Sequence, residues 1–124
     1  NGNNDTTDNS PPPFILENIG NVFVNATIYA SDLWPSVKNP SRFYQFKIDN
    51  KTYQSSENGS FDWARSITTF RNMTNITSPL WAIIGFNYTD MTDSAEIDIN
   101  ITVPSTEGAG VRNSTVVVTA ELGE

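Results

Sequence analysis

Apolar and polar residues alternate along most of this chain with a period of two, as they do in half-buried β-strands. The stretch SAEIDINITV (94–103) shows the alternation most clearly. Its predicted core face is Ala95, Ile97, Ile99, Ile101 and Val103, and its predicted solvent face is Glu96, Asp98, Asn100 and Thr102.

Four further stretches carry strand patterns and are bounded by turn residues. In the stretch 113–122, the residues predicted to point inward are Val116, Val118, Ala120 and Leu122. Asn58-Gly59 predicts a hairpin turn, and 61–70 fits either a short helix or, as we favour, a strand or irregular segment. The four stretches are VFVNATIYA (22–30), FYQFKID (43–49), LWAIIGFNYT (80–89) and NSTVVVTAEL (113–122).

Several short strands separated by turns predict an all-β fold, an immunoglobulin-like or pilin-like antiparallel β-sandwich. The segment 1–13 is polar and ends in three prolines, which favours an extended N-terminal tail. A chain of 124 residues has room for one ordinary domain. We therefore divide it into 1–30, the tail with the first long strand, and 31–124, the β-sandwich.

The composition argues against several classes of function. The chain has no Cys and no His, which removes disulfides, thiolate metal sites and the commonest general base, and argues against an enzyme. The net charge of −7 argues against nucleic acid and anionic membranes as partners. No apolar run is long enough to span a membrane. We expect no cofactor other than covalent glycans, and a melting temperature that changes little with acidification.

Acceptor patterns for N-linked glycan are unusually dense. The tripeptide N-x-S/T (x not Pro) occurs nine times among fifteen Asn residues, whereas random placement would give roughly three. Those within predicted strands fall off the core face, as attachment requires. The sequence therefore predicts an exported, extracellular glycoprotein, seen after removal of its signal peptide. The acceptors are Asn4, Asn25, Asn50, Asn58, Asn72, Asn75, Asn87, Asn100 and Asn113.

Other candidate chemistry is weaker. The acids Asp90, Asp93, Glu96 and Asp98 lack a calcium-loop pattern, and we interpret them as a solvated acidic rim. Three Trp residues could stack on sugars but are more typical of a core. The three lysines, Lys38, Lys47 and Lys51, would permit an intramolecular isopeptide bond to an Asn or Asp beside a carboxylate, although no spacing selects one.

A long alternating segment, FILENIGNVFVNATIYA (14–30), precedes the rest of the sandwich. A sandwich that lacks a strand exposes unpaired backbone groups, and a neighbour's strand can repair it by head-to-tail pairing that does not close. The alternative is that 22–30 is the protein's own first strand, and the C-terminal strand is a second candidate donor. The candidate donor residues are Ile15, Val22, Val24, Ala26 and Ile28.

In its Cys-free composition, its acceptors such as NMTNIT (72–77) and NYT (87–89), and its tail before VFVNATIYA, the chain resembles archaeal thread pilins. These are glycosylated surface-filament subunits joined by donor-strand complementation and similar in architecture to bacterial type 1 pilins. The resemblance implies a homopolymer in which part of 14–30 enters the preceding subunit, serving adhesion or cell contact. Residues 1–13 depart from this picture, because they carry no apolar stripe to insert.

Two other function classes stay open from the sequence. The chain could be a secreted monomeric β-sandwich that binds carbohydrate or accompanies a surface layer. It could also be a hydrolase with a carboxylate pair, although nothing selects such a pair. The sequence contains no motif that identifies a surface receptor.

Overall fold

Residues 13–50 and 57–123 are described by the structure, which is a computed structural model. Over these ranges the chain forms two antiparallel sheets, which confirms the predicted all-β sandwich. The acceptor Asn4 and the side chain of Asn58 lie outside the described part. The elements are β1 (Phe14–Glu17), β2 (Val24–Ala30), β3 (Tyr44–Asn50), α1 (Glu57–Ser60), β4 (Arg71–Asn72), β5 (Leu80–Phe86), β6 (Ser94–Ile101) and β7 (Val116–Leu122).

One sheet has four strands in the order β1-β6-β3-β4, and the other has three in the order β5-β2-β7. In the smaller sheet β2 is the central strand, and every residue of β2 pairs with a residue of β7. The sequence-based division at residue 30 therefore separates β2 from both strands that it pairs with.

The core lies between the two sheets and follows from the alternation. On β3 the residues Phe46 and Ile48 point inward and are fully buried. They meet Ile97 from β6 and, across the sandwich, Ile28 from β2 and Ile83 from β5. Burial of each such side chain contributes roughly 1.5–3 kcal/mol.

One side of the sandwich is closed by irregular chain between α1 and β4. The backbone N–H groups of Asp62 and Ile67 donate to carbonyls of β5, at 2.8 and 2.9 Å, while the Ile67 carbonyl accepts from Ile48 of β3 at 2.8 Å. The stretch 61–70 is thus irregular rather than a strand or a helix. It covers an edge of each sheet at once.

The hairpin turn predicted at Asn58-Gly59 is wrong. Glu57–Ser60 instead forms the single helical turn α1. The chain does not return beside β3 at this point but crosses to the other sheet, where the Ser60 carbonyl accepts from the Asn87 N–H at 2.8 Å.

Candidate functional site

The opposite side of the sandwich is open. A groove runs where β1 and β6 of the larger sheet face β7 of the smaller one, and it comprises two cavities of about 490 and 250 Å³. We call it the seam groove. Its apolar lining includes Phe14, Leu16, Ile99, Ile101, Val116 and Val118.

The predicted core faces of β6 and β7 are only partly covered at this groove. Ile101 lines the groove and is 51% exposed, and Val103, further along the same predicted face, is 65% exposed. At the end of β7, Leu122 is 78% exposed. The apolar alternation of β6 and β7 thus extends further along both strands than the part of their core faces that a single chain buries.

Backbone pairing is also incomplete along this side. β1 pairs with β6 only from Ser94 to Ile97, although β6 continues to Ile101. Within the described residues, the second half of β6 has no strand on its β1 side, and β7 has none on the side away from β2. Unpaired N–H and C=O groups beside an apolar groove form a template for another strand.

The candidate donor residues fall into two groups. Val24, Ala26 and Ile28 belong to β2, where Ala26 and Ile28 are buried and bonded to neighbours on both sides. A strand in this position cannot leave without dismantling the smaller sheet. Ile15 lies on the edge strand β1 and Val22 in the β1–β2 connection, and both are exposed.

The glycan acceptors lie at the surface where the structure describes their side chains. Asn113 is exposed, and the others are partly exposed, with none buried. Asn25, Asn50 and Asn100 lie on strands and Asn72 on β4, whereas Asn75 and Asn87 follow β4 and β5. All seven described acceptors therefore lie within reach of solvent.

The amide nitrogen Nδ2, to which a glycan is attached, is not equally available among them. Asn87 Nδ2 donates to the Gly59 carbonyl at 3.0 Å and to Thr92 Oγ1 at 3.1 Å, so both of its hydrogens are used. Asn75 Nδ2 donates to the Asn39 carbonyl at 3.1 Å. Attachment at Asn87 would break one of its two bonds.

The outer face of the larger sheet carries a buried polar cluster, which we call the Lys47 cluster: Lys47 and Asp49 from β3, and Glu96 and Asp98 from β6. The register places Lys47 opposite Asp98 and Asp49 opposite Glu96. Each of the four residues is at most 5% exposed. The predicted solvated acidic rim is therefore wrong for Glu96, Asp98 and the equally buried Asp93, while the sequence correctly placed Glu96 and Asp98 off the core face.

Lys47 is the cation of this cluster. Its Nζ lies 2.9 Å from Asp49 Oδ2 and 3.5 Å from Asp98 Oδ2, and 5.5 Å from the centre of the Phe70 ring. Burial, a hydrogen bond to Asp98 and the charge of Asp98 raise the pKa of Glu96 to about 7. Burial likewise raises the pKa of Asp98, against the opposing effects of Glu96 and Lys47.

The three carboxylates of the cluster approach closely enough to share a cation, since one oxygen from each lies within 4.8 Å of the others. The Lys47 ammonium already supplies a positive charge at this place. We therefore describe the cluster as an internal ion-pair network. Sequence reasoning missed it because Glu96 and Asp98 are distant in sequence from Lys47 and Asp49, and only the β3–β6 register brings the two pairs together.

The tryptophans do not form an exposed row. Trp34 is buried, with its indole N–H donating to the Phe43 carbonyl at 3.1 Å, and Trp63 stacks on Phe61. Trp81 on β5 is 47% exposed. This arrangement agrees with the structural role that is more typical of tryptophan in a sandwich.

In the described ranges, no helix is long and apolar enough to cross a membrane. Comparisons of the chain with protein-family models, with curated proteins and with solved structures found no match.

Proposed function

We propose that the protein is the structural subunit of an extracellular surface filament and polymerises head-to-tail by donor-strand complementation. The observation that carries this proposal is the seam groove, with its incompletely paired β6 and β7. Ile101, Val103 and Leu122 carry the alternation of a core face and are exposed in the single chain. One added strand would cover both deficits.

We assign the donor to the segment 14–19 (FILENI) of a second copy. It carries four apolar residues among its six, whereas residues 1–13 offer no apolar stripe. In a single chain, β1 is a four-residue edge strand whose Phe14 and Ile15 remain 56% and 45% exposed. In the filament we place this segment beside β6 of the next copy, in a register that reaches Ile101 and covers the groove.

This choice replaces β2 as the candidate donor. β2 is needed at the centre of its own sheet, whereas β1 contacts the larger sheet through β6 alone. The connection 18–23 between β1 and β2 would then span from one subunit to the next. Because the donor comes from β1 and the strands that receive it are β6 and β7, the contact repeats in one direction and produces a filament.

The surface chemistry supports an extracellular setting. Nine acceptor patterns in 124 residues, with seven described side chains at the surface, suit a glycan-coated protein. Glycans at these positions would also keep filaments hydrated and separate. We propose adhesion or cell contact as the role of such a filament, and N-linked glycans as its covalent decoration.

The direct test is negative-stain imaging of protein from its native source, prepared without boiling or denaturant. The proposal expects thin filaments of repeating beads about one sandwich wide. Single small particles at all concentrations would overturn it, and would leave the monomeric carbohydrate-binding alternative to be examined by tryptophan fluorescence with sugars.

A further inference from the structure

The Lys47 cluster holds three kinds of group at one buried point: an amine, a carboxyl group that faces it, and a second carboxyl group that keeps a proton. Lys47 and Asp98 are cross-strand partners on β3 and β6. Their side chains are 5% and 2% exposed, and Nζ lies 3.5 Å from Oδ2. The contact holds the amine beside the carboxyl group with which it would condense.

The electrophile can be identified among the carboxyl groups. Both oxygens of Asp49 accept hydrogen bonds, Oδ1 from the Asn50 N–H at 2.8 Å and Oδ2 from Lys47 at 2.9 Å, so this carboxyl group already has a partner on each oxygen. Asp98 Oδ1 is buried and accepts no amide, amine or alcohol donor within the described residues. Of the two carboxyl groups that contact Lys47, Asp98 is thus the less fully hydrogen-bonded.

We propose that Lys47 and Asp98 form an intramolecular isopeptide bond, with Glu96 as the catalytic acid and base. The Phe70 ring, 5.5 Å from Nζ, gives the site an apolar neighbour. Neither a cofactor nor an external reactant is needed, because the step is a condensation between two side chains.

The reaction balances within the cluster. A proton passes from the Lys47 ammonium to the Asp98 carboxylate, leaving a neutral amine and a neutral acid. The amine lone pair attacks Asp98 Cγ while Glu96 donates its proton to the carbonyl oxygen. Glu96 then takes a proton from the nitrogen and passes it to the departing hydroxyl. The Nζ–Cγ bond is now formed, the C–O bond breaks as one water leaves, and the carbonyl oxygen of the new amide returns its proton to Glu96.

The cluster's charge is compatible with this course. Glu96 begins and ends protonated, in agreement with its pKa of about 7. Asp49, which accepts a hydrogen bond from Lys47 Nζ at 2.9 Å, can accept one from the amide N–H of the product. Two buried opposite charges disappear, which removes the cost of keeping them away from water.

The bond would tie together the two central strands of the larger sheet, β3 and β6. β6 also forms one wall of the seam groove. A covalent link at this place would keep the groove wall attached to the core under tension. The chain has no cysteine, so no disulfide can serve this purpose.

The test is the intact mass of the full chain, made in a bacterial host without N-glycans and measured under denaturing conditions. We expect the wild-type mass to be lower than the sequence mass by one water. Proteolysis and fragmentation should then give a branched peptide joining Lys47 to Asp98. Folded wild-type protein at its full sequence mass would overturn the proposal.

Variants assign the roles. K47R and D98A should retain the full sequence mass, and E96Q should form the bond at least roughly 100-fold more slowly. K38R alters an exposed lysine and should lose water like the wild type. A water loss that persists in K47R or D98A, or that maps to another pair, would contradict the assignment. The mass of the wild-type protein alone decides whether the bond forms, so the test stays decisive even if a variant fails to fold.

Discussion

Asp98 of β6 lies directly opposite Lys47 of β3, and the Nζ–Oδ2 distance of 3.5 Å makes this pair a buried link between the two central strands of the larger sheet. The pair is supported by Asp49 and Glu96 on the same outer face. The stability of the sandwich therefore depends on a polar cluster as well as on its apolar core.

Replacing Lys47 by Met should destabilise the fold strongly. The change removes the covalent link between β3 and β6 where the bond has formed, and the cation of the buried cluster where it has not. For loss of a buried cation, about 3–5 kcal/mol of lost unfolding free energy is typical. Lys38→Met removes an exposed lysine paired with Asp32 at 3.6 Å and should cost no more than about 1 kcal/mol. Urea unfolding of both variants measures the difference, and equal, small effects would contradict the structural role of the cluster.

Acidification should stabilise the protein between about pH 7 and 5. Folded Glu96 holds its proton up to about pH 7, whereas an ordinary Glu loses it near 4.5. The folded state thus binds more protons in this window, and stability falls as pH rises through it. Burial, the largest cause of the shift, applies whether or not Lys47 and Asp98 are bonded.

This dependence of stability on pH differs from our expectation from composition, which was a melting temperature that changes little with acidification. We predict a melting temperature several degrees higher at pH 5 than at pH 8, measured by circular dichroism, and a smaller difference in Glu96→Gln. Glu107, whose pKa is lowered by Ser36 and Arg112, acts in the opposite direction only at more acidic pH. An unchanged difference in Glu96→Gln would show that another group is responsible.

Ile101→Asp should prevent filament formation without unfolding the subunit. Ile101 is 51% exposed in the single chain, so the charge stays solvated in the monomer but would be buried by an inserted strand. Val111→Asp is the matched control, because Val111 is 90% exposed and lies outside the seam groove. Imaging and circular dichroism of both variants check the prediction, which fails if Ile101→Asp still polymerises.

Glycan occupancy should differ between acceptors. Asn113 is exposed, whereas Asn87 uses both Nδ2 hydrogens in bonds to Gly59 and Thr92. We predict high occupancy at Asn113 and low occupancy at Asn87, as determined by glycopeptide mass spectrometry of native-source protein. Thr92→Val removes the hydroxyl that accepts one of these two hydrogen bonds and should raise glycan occupancy at Asn87. Full occupancy of wild-type Asn87 would contradict this reasoning.

Much of the fold could be predicted from the sequence because strand alternation is a local property. The inward face of β6 was predicted correctly through Ala95 and Ile97. The turn α1 was not, because its conformation depends on where the chain crosses between sheets rather than on Asn58-Gly59. Local pattern cannot indicate such a crossing.

For the candidate sites, too, local alternation could be predicted from the sequence and long-range packing could not. Alternation placed Ile101 and Leu122 on core faces, but only the arrangement of both sheets shows that a single chain leaves them exposed. Alternation likewise placed Glu96 and Asp98 on the outer face and suggested solvent around them. Their burial depends on the long-range register that brings Lys47 beside them.

The most direct test of strand exchange is a mixing experiment. Phe14→Asp damages the donor segment, and Ile101→Asp damages the groove; both residues are exposed in the single chain. Each variant is refolded alone and together with the other, and its size is measured by light scattering after chromatography. We predict that each alone stays monomeric, while the mixture forms a one-to-one dimer that grows no further, because one intact donor meets one intact groove. A mixture that remains monomeric, or a single variant that still forms filaments, would contradict donor-strand complementation at the seam groove.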